Sequence, residues 1–316
     1  MQKILVAGHS PHNPMGLFAE TLEVFNQLLR SKQMLGHYDT DLAVEWGADC
    51  CYYHEQSGSN VFEYYFTPLF NKPVLPNTDR LVGGKIAGFY DEPKVSKCTW
   101  GPLSVHRNDK SRTRSVRQVN EEIWGKIFEF RPGVLSRLEE TAELLVRNRK
   151  TIGTHRRTTD WGHGPIPPRT TVFSALDEYV AKGYDIYLST DNNKEVDEFR
   201  VRYGDRVLCT DACRGTDDKQ QPMFGHCASP AYHGYEAILD AFILSRTDVR
   251  LVTSSNLSTF AEILNPNQEL DEQLQPTVHA HEYENGKYSA IYSRKYDGWP
   301  NKAGWGCGEN HHTHIV

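Results

Sequence analysis

The stretch TIGTHRRTTDWGHGP, residues 151–165, places several charged or titratable side chains between glycines, directly after a helical pattern. These side chains belong to His155, Arg156, Arg157, Asp160 and His163. An arginine can bind two phosphate oxygens at once and keeps its charge near neutral pH. The cluster is therefore either a solvated polar turn or a place where the protein binds an anion.

Polar residues also follow two later predicted strands, 185–190 and 249–254. They are Thr190 and Asp191 after the first, and Ser254, Ser255 and Asn256 after the second. The carboxyl ends of parallel strands meet at one edge of a sheet, where ligands bind. A helix that starts near 255 would add backbone N–H groups and the positive end of its dipole. Three strand ends thus predict a site for a nucleoside diphosphate, while plain N-caps and an ion pair of Arg157 with Asp160 are the structural alternatives.

Asp240 lies in a predicted helix, 231–246, that is apolar nearly all round. Burying an unpaired carboxylate is unfavourable, so Asp240 needs a partner. The neighbouring N–H donors of a guanine edge would fit, and so would a structural arginine or a helix cap. Both interpretations stay open at this point.

The elements that must position these side chains alternate between strand and helix. The predicted strands are 3–8, 41–46, 151–155, 185–190, 206–209 and 249–254; the predicted helices are 16–29, 172–180, 193–203, 231–246 and 257–264. Such alternation predicts an α/β fold with parallel sheets and helices on both faces. Two such units in tandem would enclose a cleft.

Three segments are predicted along the chain. Residues 1–118 form an acceptor-side α/β domain, 119–150 a bridge of two helices separated at Pro132, and 151–316 the nucleotide-binding domain. The basic segment 106–117 is either a solvated loop or an anion-binding loop.

Composition narrows the classes of function. The chain has 316 residues and a net charge of −6, which argues against non-specific nucleic-acid binding. No run of 18 apolar residues and no signal-peptide pattern occurs, so neither a membrane span nor secretion is expected. Seven cysteines without framework spacing are expected to be reduced thiols in a cytoplasmic protein. No metal site is expected, since the spacing of the C-terminal histidines suits a tail better than a tetrahedral site.

The pattern Gly153-Thr-His155-x-Arg157-x-Thr159-Asp160 resembles a motif of the inverting fucosyltransferases that have two Rossmann-like domains. YLSTDN resembles that group's strand ending in Thr-Asp, and ILDAFILSRTDVRLVTSSN resembles its helix–strand–serine stretch. The resemblance covers roughly 150–265. The chain departs from the family pattern at three points: one arginine alone falls in register, the Gly-rich turn before the first helix is reduced to NPMG, and Pro165 stands where the mammalian enzyme has its proposed base.

The resemblance implies a GT-B-like fold, in which two Rossmann-like domains with parallel sheets face a central cleft. It also implies roles for individual residues. Arg157 would neutralise the β-phosphate, His155 and Asp240 would read guanine, and Asp191 would support the donor site with Thr190. Ser254, Ser255 and Asn256 would hold the phosphates, and Gly16 would lie near the pyrophosphate.

The function expected is transfer of a sugar, L-fucose from GDP-fucose, to a glycan hydroxyl with inversion and without a metal or other cofactor. Asp160 and His163 are the expected candidates for a general base, beside an unassisted dissociative route. The alternatives are a transferase of the same fold with another nucleotide sugar, and a glycan- or nucleotide-binding protein without turnover.

Overall fold

The computed structural model describes most of the chain. The described residues are 3–6, 16–74, 103, 110–158, 167–215, 229–251, 253, 255–271, 277–284 and 287–293. For 3–6, 110–112, 277–284 and 287–293 the description covers the backbone alone.

A five-stranded parallel sheet forms the second half of the chain, in the order β5-β4-β3-β6-β7. Its strands are β3 (Thr151–Arg156), β4 (Asp185–Thr190), β5 (Val207–Leu208), β6 (Val249–Leu251) and β7 (Glu269–Asp271). The connecting helices are α5 (Arg169–Ala181), α6 (Asn193–Tyr203), α7 (Pro230–Leu244) and α8 (Asn256–Leu264). Strand β7 is an edge strand that the sequence did not predict. Its Leu270 pairs with Arg250 of β6. The predicted α/β fold with a parallel sheet is confirmed.

The first half begins with the same kind of unit. Strand β1 (Lys3–Val6) pairs in parallel with β2 (Leu42–Glu45), and helix α1 (Leu17–Leu35) connects them. A short helix α2 (Phe62–Tyr65) follows. The hydrophobic spacing of Phe18, Leu22, Phe25 and Leu29 correctly predicted α1, since all four side chains are buried.

Two predictions for the middle of the chain are wrong. The segment 106–117, predicted as a loop, contains most of helix α3 (Lys110–Gln118), which continues as a π-helical turn over Val119–Ile123. The second predicted helix is real, because α4 spans Pro132–Val146 with the proline in its first turn. The first predicted helix of the 119–150 bridge is wrong, because the helical residues lie earlier in the chain, in α3 and the π-helical turn. The polar face of α3 obscures its helical period, although Val116, Val119 and Ile123 are buried.

The larger hydrophobic core runs without a break from α1 and α4 to α7 and α8. Phe260 of α8 packs against Phe18 and Phe25 of α1, with ring centroids 5.0 and 6.3 Å away. A second core lies on the other face of the sheet, beneath α5 and α6. The first half of the chain therefore packs directly on the α7–α8 layer; the boundaries predicted at 118 and 150 stay a prediction.

Other features complete the described fold. An antiparallel hairpin, β8 (Thr277–Glu284) and β9 (Lys287–Ser293), falls in a region that sequence patterns left largely unassigned. None of the helices within the described ranges is long and apolar enough to cross a membrane. Cys50, Cys51 and Cys209 are thiols, but Cys213 is disulfide-bonded, so the prediction of reduced cysteines is wrong for Cys213.

Candidate functional site

The carboxyl end of β3 meets the start of α8. His155 is buried there, and its Nδ1 lies 2.9 Å from the Ser255 hydroxyl. Ser255 is the N-cap of α8, since its oxygen accepts the Ser258 N–H at 3.0 Å, and it also donates to the Ser258 hydroxyl. With its single proton so used, Ser255 accepts from Nδ1–H, which leaves the lone pair of His155 on Nε2. The sequence prediction placed His155 and Ser255 at one site, and the structure brings them into contact.

His155 is held in its neutral form. Burial, and then the charges of Arg157 and Arg156, lower its pKa from 6.5 to about 3. In the unfolded chain the imidazole takes up a proton near pH 6.5, whereas in the folded protein it does so only near pH 3. The folded state is therefore most favoured above pH 6.5, and this contribution is lost as the pH falls through that window.

We expect the His155→Gln variant to unfold with a weaker pH dependence than the wild type. Below pH 6.5 His155 contributes a slope of up to about 1.4 kcal/mol of unfolding free energy per pH unit. Urea unfolding between pH 5 and 8 measures both slopes. Parallel curves for the two proteins would contradict the neutral, buried state of His155.

Arg156 and Arg157 have different surroundings, although they are adjacent. Arg156 is buried, donates to both carboxylate oxygens of Glu195 at 3.2 and 3.4 Å, and donates to the Pro167 carbonyl at 2.7 Å. Arg169 donates to the same carboxylate at 2.9 Å. Although burial raises it, the pKa of Glu195 is lowered overall by the two arginines. Arg156 is thus part of a buried ion-pair network behind the sheet edge.

Arg157 directly follows β3, two residues after His155. It is partly exposed, and its charge acts on two groups. One is His155, and the other is the Tyr52 hydroxyl, whose pKa it lowers against the larger raising effects of burial and of Cys51. Arg157 therefore lies near the junction of β3 with the first half of the chain.

Tyr52 connects that junction to the start of α1. Its hydroxyl accepts the Leu17 N–H at 3.2 Å, and Leu17 is the first residue of α1 after the N-cap Gly16. The N-terminus of this 19-residue helix, with its positive dipole end, thus lies at the Tyr52 hydroxyl, on which the charge of Arg157 acts. Gly16, predicted to lie near a pyrophosphate, is brought close to this edge of the sheet through Tyr52.

The end of β4 supports the same edge. An Asp191 carboxylate oxygen accepts the Thr158 N–H at 2.8 Å, directly after Arg157. Asn192 donates to the Thr158 hydroxyl at 3.1 Å and caps α6 by accepting the Lys194 N–H. The Thr190 hydroxyl accepts the Asn192 N–H at 3.3 Å. Asp191 therefore holds the backbone directly after Arg157, and Thr190 holds the neighbouring backbone at the end of β4.

Asp240 is buried and accepts three hydroxyl hydrogen bonds. Tyr187 donates to Oδ1 at 2.7 Å, Thr210 to Oδ1 at 3.0 Å, and Ser189 to Oδ2 at 2.9 Å. Burial raises its pKa, and these donors together with Arg214 act in the opposite direction. Three of about four acceptor positions of the carboxylate are thus used within the protein. The guanine contact predicted for Asp240 stays a prediction.

We expect Asp240→Asn to leave GDP affinity within about threefold of wild type, because its hydroxyl partners can turn to accept from the amide. Asp240→Ala strands three buried hydroxyls and is expected to lower the unfolding free energy by about 2–3 kcal/mol. Calorimetric titration and urea unfolding measure the two effects. A loss of GDP affinity of tenfold or more in a stable Asn variant would instead assign the guanine contact to Asp240.

The remaining predicted site residues fall into two groups. Ser254, Asp160 and His163 lie outside the described residues, whereas Asn256 is the partly buried first residue of α8. The sequence analysis missed Tyr52, Thr158, Asn192 and Glu195 as parts of this edge. The Asn192-x-Lys194 spacing carries an N-cap signal that could have identified one of them; the other three depend on contacts across the fold.

The chain is similar to solved structures alone. No protein-family model matches the chain, and no curated protein matches it. Solved structures do: the chain is similar to the NodZ α1,6-fucosyltransferase soaked with GDP-fucose, at 14% identity and a TM-score of 0.45, over 84% of this chain and 94% of that one. The same enzyme co-crystallised with GDP matches at 13% identity and 0.45, over 84% and 93%. Fucosyltransferase NodZ from Bradyrhizobium matches at 14% and 0.44, over 92% of this chain and 99% of that one.

Proposed function

We propose that this protein is an inverting glycosyltransferase that transfers L-fucose from GDP-fucose to a glycan hydroxyl. One observation carries the proposal: His155, two residues before Arg157, contacts Ser255 at the start of α8, and Tyr52, which accepts the first N–H of α1, stacks on His233 in the first turn of α7. A cation and two helix N-termini at one sheet edge form a site suited to a diphosphate. The sequence resemblance over 150–265 proposes the same chemistry.

The reaction needs charge stabilisation more than covalent chemistry. The acceptor oxygen forms a bond to the anomeric carbon while the bond from that carbon to the phosphate oxygen breaks, and GDP departs with the electron pair. Positive charge develops on the sugar and negative charge on the leaving diphosphate. Arg157 and the helix N-termini are proposed to stabilise the leaving group as its charge grows. The proposal requires no metal, because these groups supply the positive charge.

Recognition of the nucleotide is proposed to involve the end of β3. A neutral His155 with its lone pair on Nε2 can accept a hydrogen bond from a guanine N–H. Ser254, Asn256 and the backbone N–H of Ser255 are proposed to hold phosphate oxygens, with Thr190 and Asp191 supporting the loop that carries Arg157. The guanine contact of Asp240 remains a proposal, and its Asn variant tests that contact.

The acceptor proton needs a destination. Asp160 and His163 remain the proposed general bases, and an unassisted dissociative route remains the alternative. Either way, the anomeric configuration of the product is inverted by a single displacement.

Two other functions fit the same edge: transfer from another nucleotide sugar, and binding of a nucleotide or glycan without turnover. We also keep the cytoplasmic location as a proposal. Disulfides are more typical of proteins in oxidising compartments, and Cys213 is disulfide-bonded. Fractionation of the source cells tests the location: recovery in the cytosolic fraction would support it, and recovery in an oxidising compartment would contradict it.

Incubation of the full chain with GDP-fucose, a mixed glycan panel and EDTA tests the proposed function. We expect GDP release that depends on the glycan, and a rate that changes less than twofold between EDTA and added Mg²⁺. GDP-mannose, UDP-glucose and UDP-galactose serve as competing donors. Turnover with a UDP-sugar alone would support the second transferase, and GDP binding without turnover on the whole panel would support the binding protein.

A further inference from the structure

The first turn of α7 lies at the same edge of the sheet as the proposed donor site. The end of α7, Leu244, precedes β6, and the Asp248 N–H donates to the carbonyl of Thr151, the first residue of β3. The C-terminal end of α7 is therefore at the amino edge of the sheet. Because the helix runs antiparallel to the strands, its start at Pro230 is at the carboxyl edge.

Two stacked tyrosines, of which Tyr232 is the exposed one, lie at the start of α7. Tyr232 is 57% exposed, and its ring stacks on that of Tyr235 with centroids 5.7 Å apart and an angle of 27°. Arg137 of α4 lies over the Tyr235 ring at 5.0 Å. Within the described part of the chain, Tyr232 is the one aromatic residue among the exposed large hydrophobic side chains. Arg137 thus holds the partly buried Tyr235, and the exposed Tyr232 presents an aromatic surface to solvent.

The inner side of the same turn fixes the position of this pair relative to the donor site. His233 stacks on Tyr52 at 6.3 Å and 20°, and Tyr52 accepts from the first N–H of α1. Tyr65 donates to the Ala231 carbonyl at 2.7 Å. A Cβ at Gly234 would lie 2.2 Å from the Tyr65 hydroxyl, so the glycine permits this close packing. The turn that carries Tyr232 is thus joined directly to the residue beside Arg157.

We propose that Tyr232 and Tyr235 form the acceptor-glycan subsite, on which a sugar ring of the acceptor stacks. The inference rests on the proposed glycosyltransferase function, and it names a surface for the second substrate. The rings of β-linked hexoses present flat C–H faces that pack on an aromatic face, while their hydroxyls need polar neighbours. An aromatic ring with a polar hydroxyl suits such a ligand, and Arg137 supplies a hydrogen-bond donor at the margin.

Core packing does not account for Tyr232. The buried side of α7 is formed by other residues, among them Ile238, Phe242 and Ile243. A second tyrosine pair gives the contrast: Tyr179 and Tyr184 meet edge to face at 89°, next to Lys150 and Lys182. That pair lies at the opposite edge of the sheet, just before β4 begins, and it offers a matched control.

The test measures binding of cellotetraose, a β1,4-linked glucose tetramer, to the full chain with GDP present. Maltotetraose, the α1,4-linked isomer, serves as the curved comparison ligand. We expect cellotetraose to bind more tightly than maltotetraose, and Tyr232→Ala to weaken it about fivefold to tenfold. Tyr184→Ala should leave the cellotetraose affinity within twofold, and both variants should keep the GDP affinity of the wild type.

Two results would overturn the subsite, and a third would separate it from the proposed transferase function. Unchanged cellotetraose affinity in Tyr232→Ala overturns the subsite, and so does a failure of the wild type to bind either tetrasaccharide. Because Tyr232 is exposed, its variant is expected to keep the melting temperature of the wild type, which circular dichroism checks. If cellotetraose binding depends on Tyr232 but no nucleotide binds, the glycan subsite stands and the proposed transferase function fails.

Discussion

Replacing Arg157 with alanine is expected to lower kcat/KM for sugar transfer about 10²–10³-fold, as loss of one group that stabilises transition-state charge does elsewhere. The reason is the position of its cation, which acts on His155 and Tyr52 at the start of two helices. GDP affinity should also fall, since the same charge is proposed to face the diphosphate in the ground state. Steady-state kinetics and calorimetry with GDP measure the two losses, and Arg157→Lys should retain part of both.

The matched control is Arg149→Ala. Arg149 precedes the same strand at its opposite end and forms a partly exposed ion pair with Asp185 at 2.9 Å. Removing it deletes the same charge from the protein without touching the carboxyl edge of the sheet. Equal losses of activity in Arg149→Ala and Arg157→Ala would mean that overall charge, and not the position of Arg157, sets the rate.

The neighbouring substitution, Arg156→Met, is expected to lower the unfolding free energy by about 3–5 kcal/mol, because it leaves part of a buried ion pair behind. Glu195 keeps Arg169 as a partner, so the lower part of this range is expected. Thermal unfolding should show a melting temperature lower by about 6–12 °C. Activity at low temperature should be retained in the fraction that stays folded.

Arg149→Ala serves again as the control, and its exposed pair should contribute less than about 1 kcal/mol. The double variant Arg156→Met/Glu195→Leu removes both charges and should recover much of the lost stability. A stable Arg156→Met protein without activity would contradict the division of roles between the two arginines.

The parts of the fold with a clear period could be predicted from the sequence. Phe18 and Leu22 of α1 recur at helical spacing, and the apolar run of β4, Ile186–Leu188, is short and bounded by polar residues. Helix α3 could not, because its exposed arginines hide the few buried positions that anchor it, such as Val116. Strand β7 was missed because three partly exposed residues, Glu269–Asp271, carry no apolar run.

The candidate site shows the same limit. Strand ends could be identified from local patterns, which brought His155 and Ser255 to one edge. Residue type alone could not predict which of the two adjacent arginines faces the site. The answer depends on strand alternation and on the distant carboxylate of Glu195. The role of Tyr52 could not be predicted, because its link to the first N–H of α1 depends on contacts between distant segments.

Calorimetric titration of the full chain with GDP, UDP, ADP and CDP in the presence of EDTA decides whether this edge of the sheet binds a guanine nucleotide. We expect GDP to bind at least tenfold more tightly than the other three, and Arg157→Ala to lose this binding while Arg149→Ala keeps it. Preference for UDP would retain a nucleotide site at this edge and remove the fucosyl assignment. Failure of all four nucleotides to bind would contradict the account, and would mean that Arg157 belongs to a polar turn.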